Sequence, residues 1–296
     1  MKRKTDKQKQ KSMELRVLKY FLMAAREENI TRTAKLLHIT QPTLSRQLMQ
    51  LEEELGTKLF KRGKHNIYLT EDGMLLKKRA QDIVALADRT EREFKEQKEE
   101  LAGEIIIGCG ESRSMDEFAE SIADFQKMYP MVQYELYTAN ADDVKEKLDK
   151  GLLDLGMVTE PVDISRYNFI RMKRREEWGV LVRTDSALAE KGFATPEDLA
   201  EIPLIMVKNE LESWFGEYYP ELHVTGTYNL LNNAAIFVQK GIGAAICFEV
   251  GNHYDNLTFV PMKPTLHSGC VLIWRKNEAL SETVKKFLDV FSEKRT

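Results

Sequence analysis

Residues 40–56 spell out a helix together with both of its ends. Thr40 is a residue type that caps helix N-termini, and Pro42 suits the first turn because its missing N–H is not needed there. Leu44, Leu48, Leu51 and Leu55 recur at helical spacing, and Gly56 supplies the stop. Upstream, a second helix is expected from about Thr31, taken as its N-cap, through Ala34 and Leu37. Only a few residues around 38–40 separate the two, which is helix-turn-helix spacing, and Ala34 is small where two such helices would cross closely. Leu15, Leu18, Phe21, Leu22 and Ala25 mark a further amphipathic helix before them.

The residues between the leucines of the third helix are Gln41, Thr43, Ser45, Arg46, Gln47 and Gln50. These are short or forked hydrogen-bonding groups rather than the Glu/Lys mixture of a generic solvated face. Gln can bond bidentately to adenine, Arg to guanine or phosphate, and a Thr methyl can meet thymine. After Leu59-Phe60 a basic loop (Lys61-Arg62-Gly63-Lys64-His65) runs into the alternating Ile67-Tyr68-Leu69-Thr70, which reads as the hairpin wing of a winged helix. The bland alternative is a plain three-helix bundle with exposed glutamines.

Charge helps to choose. The whole-chain net charge of -3 argues against a nucleic-acid partner until it is partitioned. Residues 1–71 carry +8, residues 72–103 carry -1, and residues 104–296 carry -10. A basic head on an acidic body is the electrostatic footprint of nucleic-acid binding by the head. Part of that charge sits in residues 1–12, a lysine-rich stretch without apolar periodicity that reads as a disordered arm; Met13 is an equally good start for the domain, and residues 13–71 still carry +3.

Residues 15–73 resemble the DNA-binding domain of LysR-type transcriptional regulators. The matching residues are Leu18-x-Tyr20-Phe21, Thr31-Arg32-Thr33-Ala34-x-x-Leu37-His38, Thr40-Gln41-Pro42-Thr43-Leu44-Ser45-Arg46-Gln47, Leu51-Glu52-x-x-Leu55-Gly56, Leu59-Phe60-x-Arg62 and Leu69-Thr70-x-x-Gly73. Two positions depart from the family's habit: Thr33 stands where a second Ala is usual, and His65 stands where the wing often has Arg. The resemblance implies that Gln41, Pro42, Thr43 and Arg46 lie at bases or nearby backbone. It also implies that Thr31, Arg32, Ser45 and Lys64 position phosphates of double-stranded DNA, and Thr40 and Arg62 belong to the same set of expected DNA contacts.

Beyond Gly73, Leu76, Ala80, Ile83, Ala87, Thr90, Phe94, Gln97 and Leu101 follow a 4-3-4-3 spacing, an a/d seam of more than three heptads. It reads as an intermolecular dimerisation helix, matching the family's linker; the alternative is a helix lying on its own body domain. The expected dimerisation contacts are Leu76, Ala80, Ile83, Ala87 and Phe94. A dimer would place two recognition helices about one DNA turn, ~34–36 Å, apart on an inverted repeat.

The body alternates strand and helix patterns: β-branched 104–109, helical 116–129, strand 134–137, helical 143–150, buried strand 152–158, then 179–182, 204–207, 234–239, 244–248 and a last strand 270–274 before a helix from Glu282 to about Phe291. Such alternation predicts a parallel open sheet. Phe125-x-x-x-Tyr129-Pro130, Gly151-x-Leu153-Asp154-Leu155-Gly156 and Gly241-x-Gly243 resemble the same family's effector module, which has the periplasmic-binding-protein fold. The expected fold class is therefore α/β overall: an N-terminal winged helix-turn-helix, a long linker helix and a C-terminal bilobed α/β effector domain. The expected domains are 1–12, 13–71, 72–103 and 104–296, with lobe one at 104–174 plus 269–296 and lobe two at 175–268.

A ligand between such lobes would meet strand C-terminal ends and helix N-termini, whose free N–H groups favour anions. Ser112 and Ser114 follow the first strand, Thr138 and Asn140 the second, and Thr159 the third; each could equally be a simple helix cap. Val207, Asn229 and Phe248 are the candidates from lobe two. The resemblance implies a small-molecule effector, expected to be anionic, together with a homodimer paired into a homotetramer, and RNA polymerase as a partner if the protein activates.

Other functions are disfavoured. Gly108-x-Gly110 follows a strand, but Arg113 occupies the third glycine position of a dinucleotide fingerprint. There is no Walker loop, GxSxG or HExxH, the five histidines do not cluster, and the three cysteines lack CxxC spacing. No catalytic residue, metal site or cofactor is expected. A solute-binding transport protein shares the body fold but needs an export signal and has no use for the head. No apolar run follows the basic N-terminus and none is long enough to span a bilayer, so the expected location is the cytoplasm, away from membranes.

Overall fold

The computed structural model of the chain describes residues 13–63, 66–95, 101–207, 211–277 and 279–294. It divides into two compact units, residues 1–95 and 96–296.

The first unit contains α1 (Leu15–Glu27), α2 (Ile30–Leu36), α3 (Gln41–Leu55), β1 (Phe60–Arg62), β2 (Ile67–Leu69) and α4 (Glu71–Lys95). α1 buries Val17, Leu18, Phe21, Ala24 and Ala25, and α3 buries Leu44, Leu48 and Leu51, all in one core. The cap of α2 is not Thr31 but Asn29, whose side chain accepts from Arg32 N at 2.9 Å. Thr31 and Arg32 are thereby placed on the exposed first turn. Thr33, where a second Ala was usual, is fully buried, and its hydroxyl donates to Asn29 O at 2.8 Å, so the extra polar group is satisfied. Thr40 caps α3 and accepts from Thr43 N, while Gly56 ends it with φ +70°. The wing strands pair antiparallel, with Phe60 opposite Leu69 and Arg62 opposite Ile67. Thr70 caps α4, accepting from Gly73 N at 2.9 Å. Leu59 O lies over the Gly73 Cα, where a Cβ would collide with it.

α4 changes the reading of the heptad stripe. Ala80 is fully buried in the core of its own unit, with Leu76 and Val84 packed beside it, and Lys19 on α1 bonds Asp88 at 2.6 Å. Leu76 and Ala80 are therefore occupied within the head. Their a/d period was real, but the face it buries belongs to α1. Ile83 stays 41% exposed and Ala87 is half-buried. Leu101 packs against the core of the second unit. The side chain of Phe94, and Gln97, lie outside the described residues.

The second unit contains β3 (Gly103–Cys109), α5 (Ser114–Met128), β4 (Val132–Thr138), α6 (Ala141–Asp149), β5 (Leu155–Thr159), β6 (Tyr167–Arg183), α7 (Ala187–Lys191), α8 (Pro196–Ala200), β7 (Leu204–Val207), α9 (Glu212–Phe215), β8 (Val224–Tyr228), α10 (Leu231–Gln239), β9 (Ala244–Phe248), β10 (Leu257–Pro261), β11 (His267–Arg275) and α11 (Glu282–Glu293). Strand order is β4-β3-β5-β11-β6-β9-β7-β8, with β10 on β6. β3 is parallel to β4 and β5, and β7 to β8 and β9, yet β11 runs antiparallel to both β5 and β6. The sheet is thus mixed, not parallel. β6 carries the chain out of lobe one and β11 brings it back beside it, so the two must oppose.

β6 is shared between lobes: its Tyr167–Glu177 part pairs with β11, and residues from Trp178 pair with β9 and β10. Its charged middle, Lys173 to Glu177, has the composition of a loop but continues as strand. Each lobe has a core on both faces of its sheet. In lobe one, α5 and α11 interlock through Phe118, Phe125, Phe287 and Phe291, with centroids 5.3–5.8 Å apart and mostly edge-to-face, while α6 covers the other face with Val144 and Leu148. In lobe two, Trp178, Leu199, Phe215 and Ile246 fill one face and α10 covers the other with Ala234, Ala235 and Val238.

Candidate nucleic-acid interface and ligand cleft

The apolar face of α3 is buried, so geometry leaves Gln41, Pro42, Thr43 and Arg46 exposed and Ser45 half-exposed around its N-terminal turns. Thr40 and Thr43 hydroxyls bond at 2.8 Å, and Gln41 Nε2 donates to Ser45 Oγ at 3.1 Å, which pre-sets these short side chains. Arg46 has no ion-pair partner among the described residues. Arg32 pairs with Glu27 at 2.8 Å on the exposed edge of α2, so reaching a phosphate requires it to exchange that partner. His38, in the turn between α2 and α3, adopts φ +54°. The Arg62 side chain and Lys64 lie outside the described residues.

The sequence reading missed the residue that aims the wing. Glu52, on the inner face of α3, accepts from Leu59 N (2.9 Å), Phe60 N (3.2 Å) and Lys58 Nζ (2.7 Å). Its burial works against ionisation, but Lys58 and the two backbone N–H groups outweigh that and hold the carboxyl below its ordinary value. A depressed folded pKa gives stability that is complete above the ordinary value of 4.5 and is lost as pH falls through the folded pKa. Glu52→Ala leaves two backbone donors unpaired and lowers head stability by about 2–3 kcal/mol. Glu52→Gln flattens the acid limb of the Tm-versus-pH curve. An unchanged acid limb in that variant counts against this wing lock.

In the second unit, a cavity of about 740 Å³ opens between the lobes. Of the residues singled out from sequence, Ser112, Asn140 and Thr159 line it from lobe one, and Val207, Asn229 and Phe248 from lobe two. Two do not. Ser114 is fully buried, and its hydroxyl and N–H both go to Glu176 Oε1, at 2.5 and 3.0 Å. Thr138 ends β4 outside the lining, bonded to the Cys109 thiol. Thr138 is the last residue of its strand and Ser114 the first of α5, and each bonds a neighbour in its own unit.

The helix starts expected to receive an anion each carry a protein acceptor. The N-terminus of α5 is taken by Glu176, which accepts from Arg113 N at 2.8 Å as well as from Ser114. The N-terminus of α10 is taken by Glu111, which accepts from Leu231 N at 2.5 Å across the cleft. The N-terminus of α6 is capped by Asn140 Oδ1, accepting from Asp143 N at 2.9 Å. Glu111 and Glu176 were invisible to sequence reasoning because their partners lie 120 and 62 residues away. Arg113 pairs with Glu249 across the cleft rim.

Burial raises the pKa of all three thiols, with Cys247 and Cys270 pushed up to about 12, and Thr138 partly offsets the rise at Cys109. Buried thiols of that kind are poor nucleophiles. No group of three or more His, Cys, Asp or Glu among the described residues could hold a metal ion. No helix among them is long and apolar enough to cross a membrane.

Comparison with known proteins places both units. Residues 15–74 match the family described as bacterial regulatory helix-turn-helix protein, lysR family, and residues 98–295 match the LysR substrate binding domain. The chain is 28% identical over 300 residues to the HTH-type transcriptional regulator BsdA of Bacillus subtilis, covering 94% of this chain and all of that one. It is 28% identical over 250 residues to the HTH-type transcriptional activator IlvY of Salmonella typhimurium, covering 80% and 83% of the two chains. Its fold is that of full-length CbnR in complex with its target DNA, at a TM-score of 0.75 and 20% identity, over 95% of this chain and 99% of that one. An exposed reading turn on a winged helix-turn-helix, a two-lobed domain with a cleft, and a match to the family over both together carry one conclusion: the chain is a LysR-type transcriptional regulator, a DNA-binding protein with an effector-binding domain.

Proposed function

We propose that the protein works in the cytoplasm as a homodimer, paired into a homotetramer, on an inverted-repeat operator, and that it is not an enzyme. The observation that carries this reading is the exposed turn Gln41–Arg46 on a helix whose opposite face is buried in the core. In this reading Gln41, Pro42, Thr43 and Arg46 enter the major groove, while Thr31, Arg32, Thr40, Ser45, Arg62 and Lys64 hold backbone. Ile83, Ala87 and Phe94 carry the seam between protomers. An effector held by Ser112, Asn140, Thr159, Val207, Asn229 and Phe248 changes DNA binding only by favouring one lobe arrangement over another. RNA polymerase is a partner where the protein activates.

The acidic body repels the phosphate backbone, so DNA contact falls to the head. Counterion release then sets the salt dependence. Each phosphate neutralised lowers log K by about 0.9 per log unit of salt. Affinity for a promoter fragment carrying the inverted repeat falls steeply between about 50 and 200 mM salt. A flat salt profile, or a footprint covering a single half-site, overturns the proposal. Turnover of a cleft ligand by pure protein overturns its non-enzymatic part.

A further inference from the structure

We infer that the cleft selects an organic cation, a ligand bearing an amine or guanidinium on an apolar stem, rather than an anion. The inference rests on the cleft being the effector site and names the chemistry of what enters it.

Three observations converge. First, at the start of each of three helices beside the cleft a backbone donor already has a protein acceptor. Glu176 occupies the start of α5, Glu111 the start of α10, and Asn140 the first turn of α6. An entering carboxylate competes with these groups for the N–H that each holds. Second, the described lining carries Glu111, Asp142, Asp143 and Asp163 against Lys145 alone. Lys145 is itself 3.6 Å from Asp142, and the neighbouring Arg113 is held by Glu249. Glu111 is half-buried while Asp142, Asp143 and Asp163 are exposed, so together they give the cleft a field that attracts a cation and weakens with salt. Third, the acidic groups are dispersed rather than clustered. No three of them are arranged to hold a metal ion among the described residues. The same lining includes Val162, Val207, Leu231 and Phe248. Separated carboxylates with apolar surface in the same cavity suit a cationic head on a carbon stem better than a bare ion.

Glu111 is the pivotal group. It is half-buried, spends one oxygen on Leu231 N of lobe two, and has its second oxygen available to a ligand ammonium. A cation there strengthens a link that already joins the lobes, whereas an anion there must break it.

The test is thermal unfolding of the full chain with matched probes at equal ionic strength. 1,5-Diaminopentane and agmatine are compared with glutarate and adipate, each at about 10 mM, since a ligand of the folded state raises Tm by mass action. The amines are expected to raise Tm and the dicarboxylates to leave it unchanged. Glu111→Gln keeps an acceptor for Leu231 N but removes the charge, and is expected to weaken the amine response about tenfold. Asp143→Asn, on the exposed first turn of α6, provides a second variant that folds independently of the α10 contact and weakens the response in the same direction. Stabilisation by the dicarboxylates instead, or by neither class, overturns the cationic preference; in the former case the cleft stands as the effector site. An amine response undiminished in both variants and in Phe248→Ala places binding outside the cleft, and that result overturns the cleft reading itself.

Discussion

Replacing Arg46 with alanine lowers operator affinity by about 1–3 kcal/mol per half-site, roughly 5- to 150-fold for each recognition helix. The side chain is exposed on the second turn of α3 and has no ion-pair partner among the described residues, so its removal leaves the head's stability nearly unchanged. The loss therefore comes from the interface and not from unfolding. Footprinting at several salt concentrations separates the two roles an arginine could have there. A base contact relaxes specificity at one position and leaves the salt slope intact, whereas a phosphate contact reduces the slope by about one. Arg46→Lys does not restore a bidentate base contact, because an ammonium lacks the planar fork. Normal occupancy by the alanine variant would falsify the assignment of α3 as the reading helix.

The second large effect separates two faces of α4 that the heptad stripe treated as one. Ala80→Asp puts a carboxylate at a fully buried position against the apolar core that α1 and α4 share. An unpaired buried charge is among the few single changes that cost more than about 4 kcal/mol, so the head unfolds. Ile83→Asp alters a side chain that is already 41% exposed, so the head stays folded and the monomer–dimer equilibrium shifts toward monomer. Circular dichroism of the head and sedimentation of the full chain read the two outcomes independently. If Ala80→Asp stays folded and only dissociates, the seam includes Ala80 and the packing described for α4 is wrong.

Much of the head was legible because its signals are local. Thr40, Pro42 and Gly56 act within a few residues of themselves, and leucines three or four apart share a face in any helix. Thr31 was misread as a cap because Asn29, two residues earlier, satisfies the same rule and begins the helix sooner. In the body, strand and helix alternation located most elements, and Ser112, Asn140, Thr159, Val207, Asn229 and Phe248 fall on one cavity because strand ends in such folds converge. Ser114 and Thr138 carried the same signal yet fall outside the cavity lining, Ser114 bonded to Glu176 and Thr138 to Cys109.

The basic head, the capped reading helix and the family of this chain were determined by the sequence alone, since charge, caps and periodicity are written in neighbouring residues. Only the tertiary structure decided which partner each stripe would find and which helix N-termini would stay open. Ala80 went to α1, and the starts of α5 and α10 went to Glu176 and Glu111. Those choices join residues 62 and 120 positions apart. Separations of that size are set by how sheets and lobes close on one another, and no pattern within a single element records them.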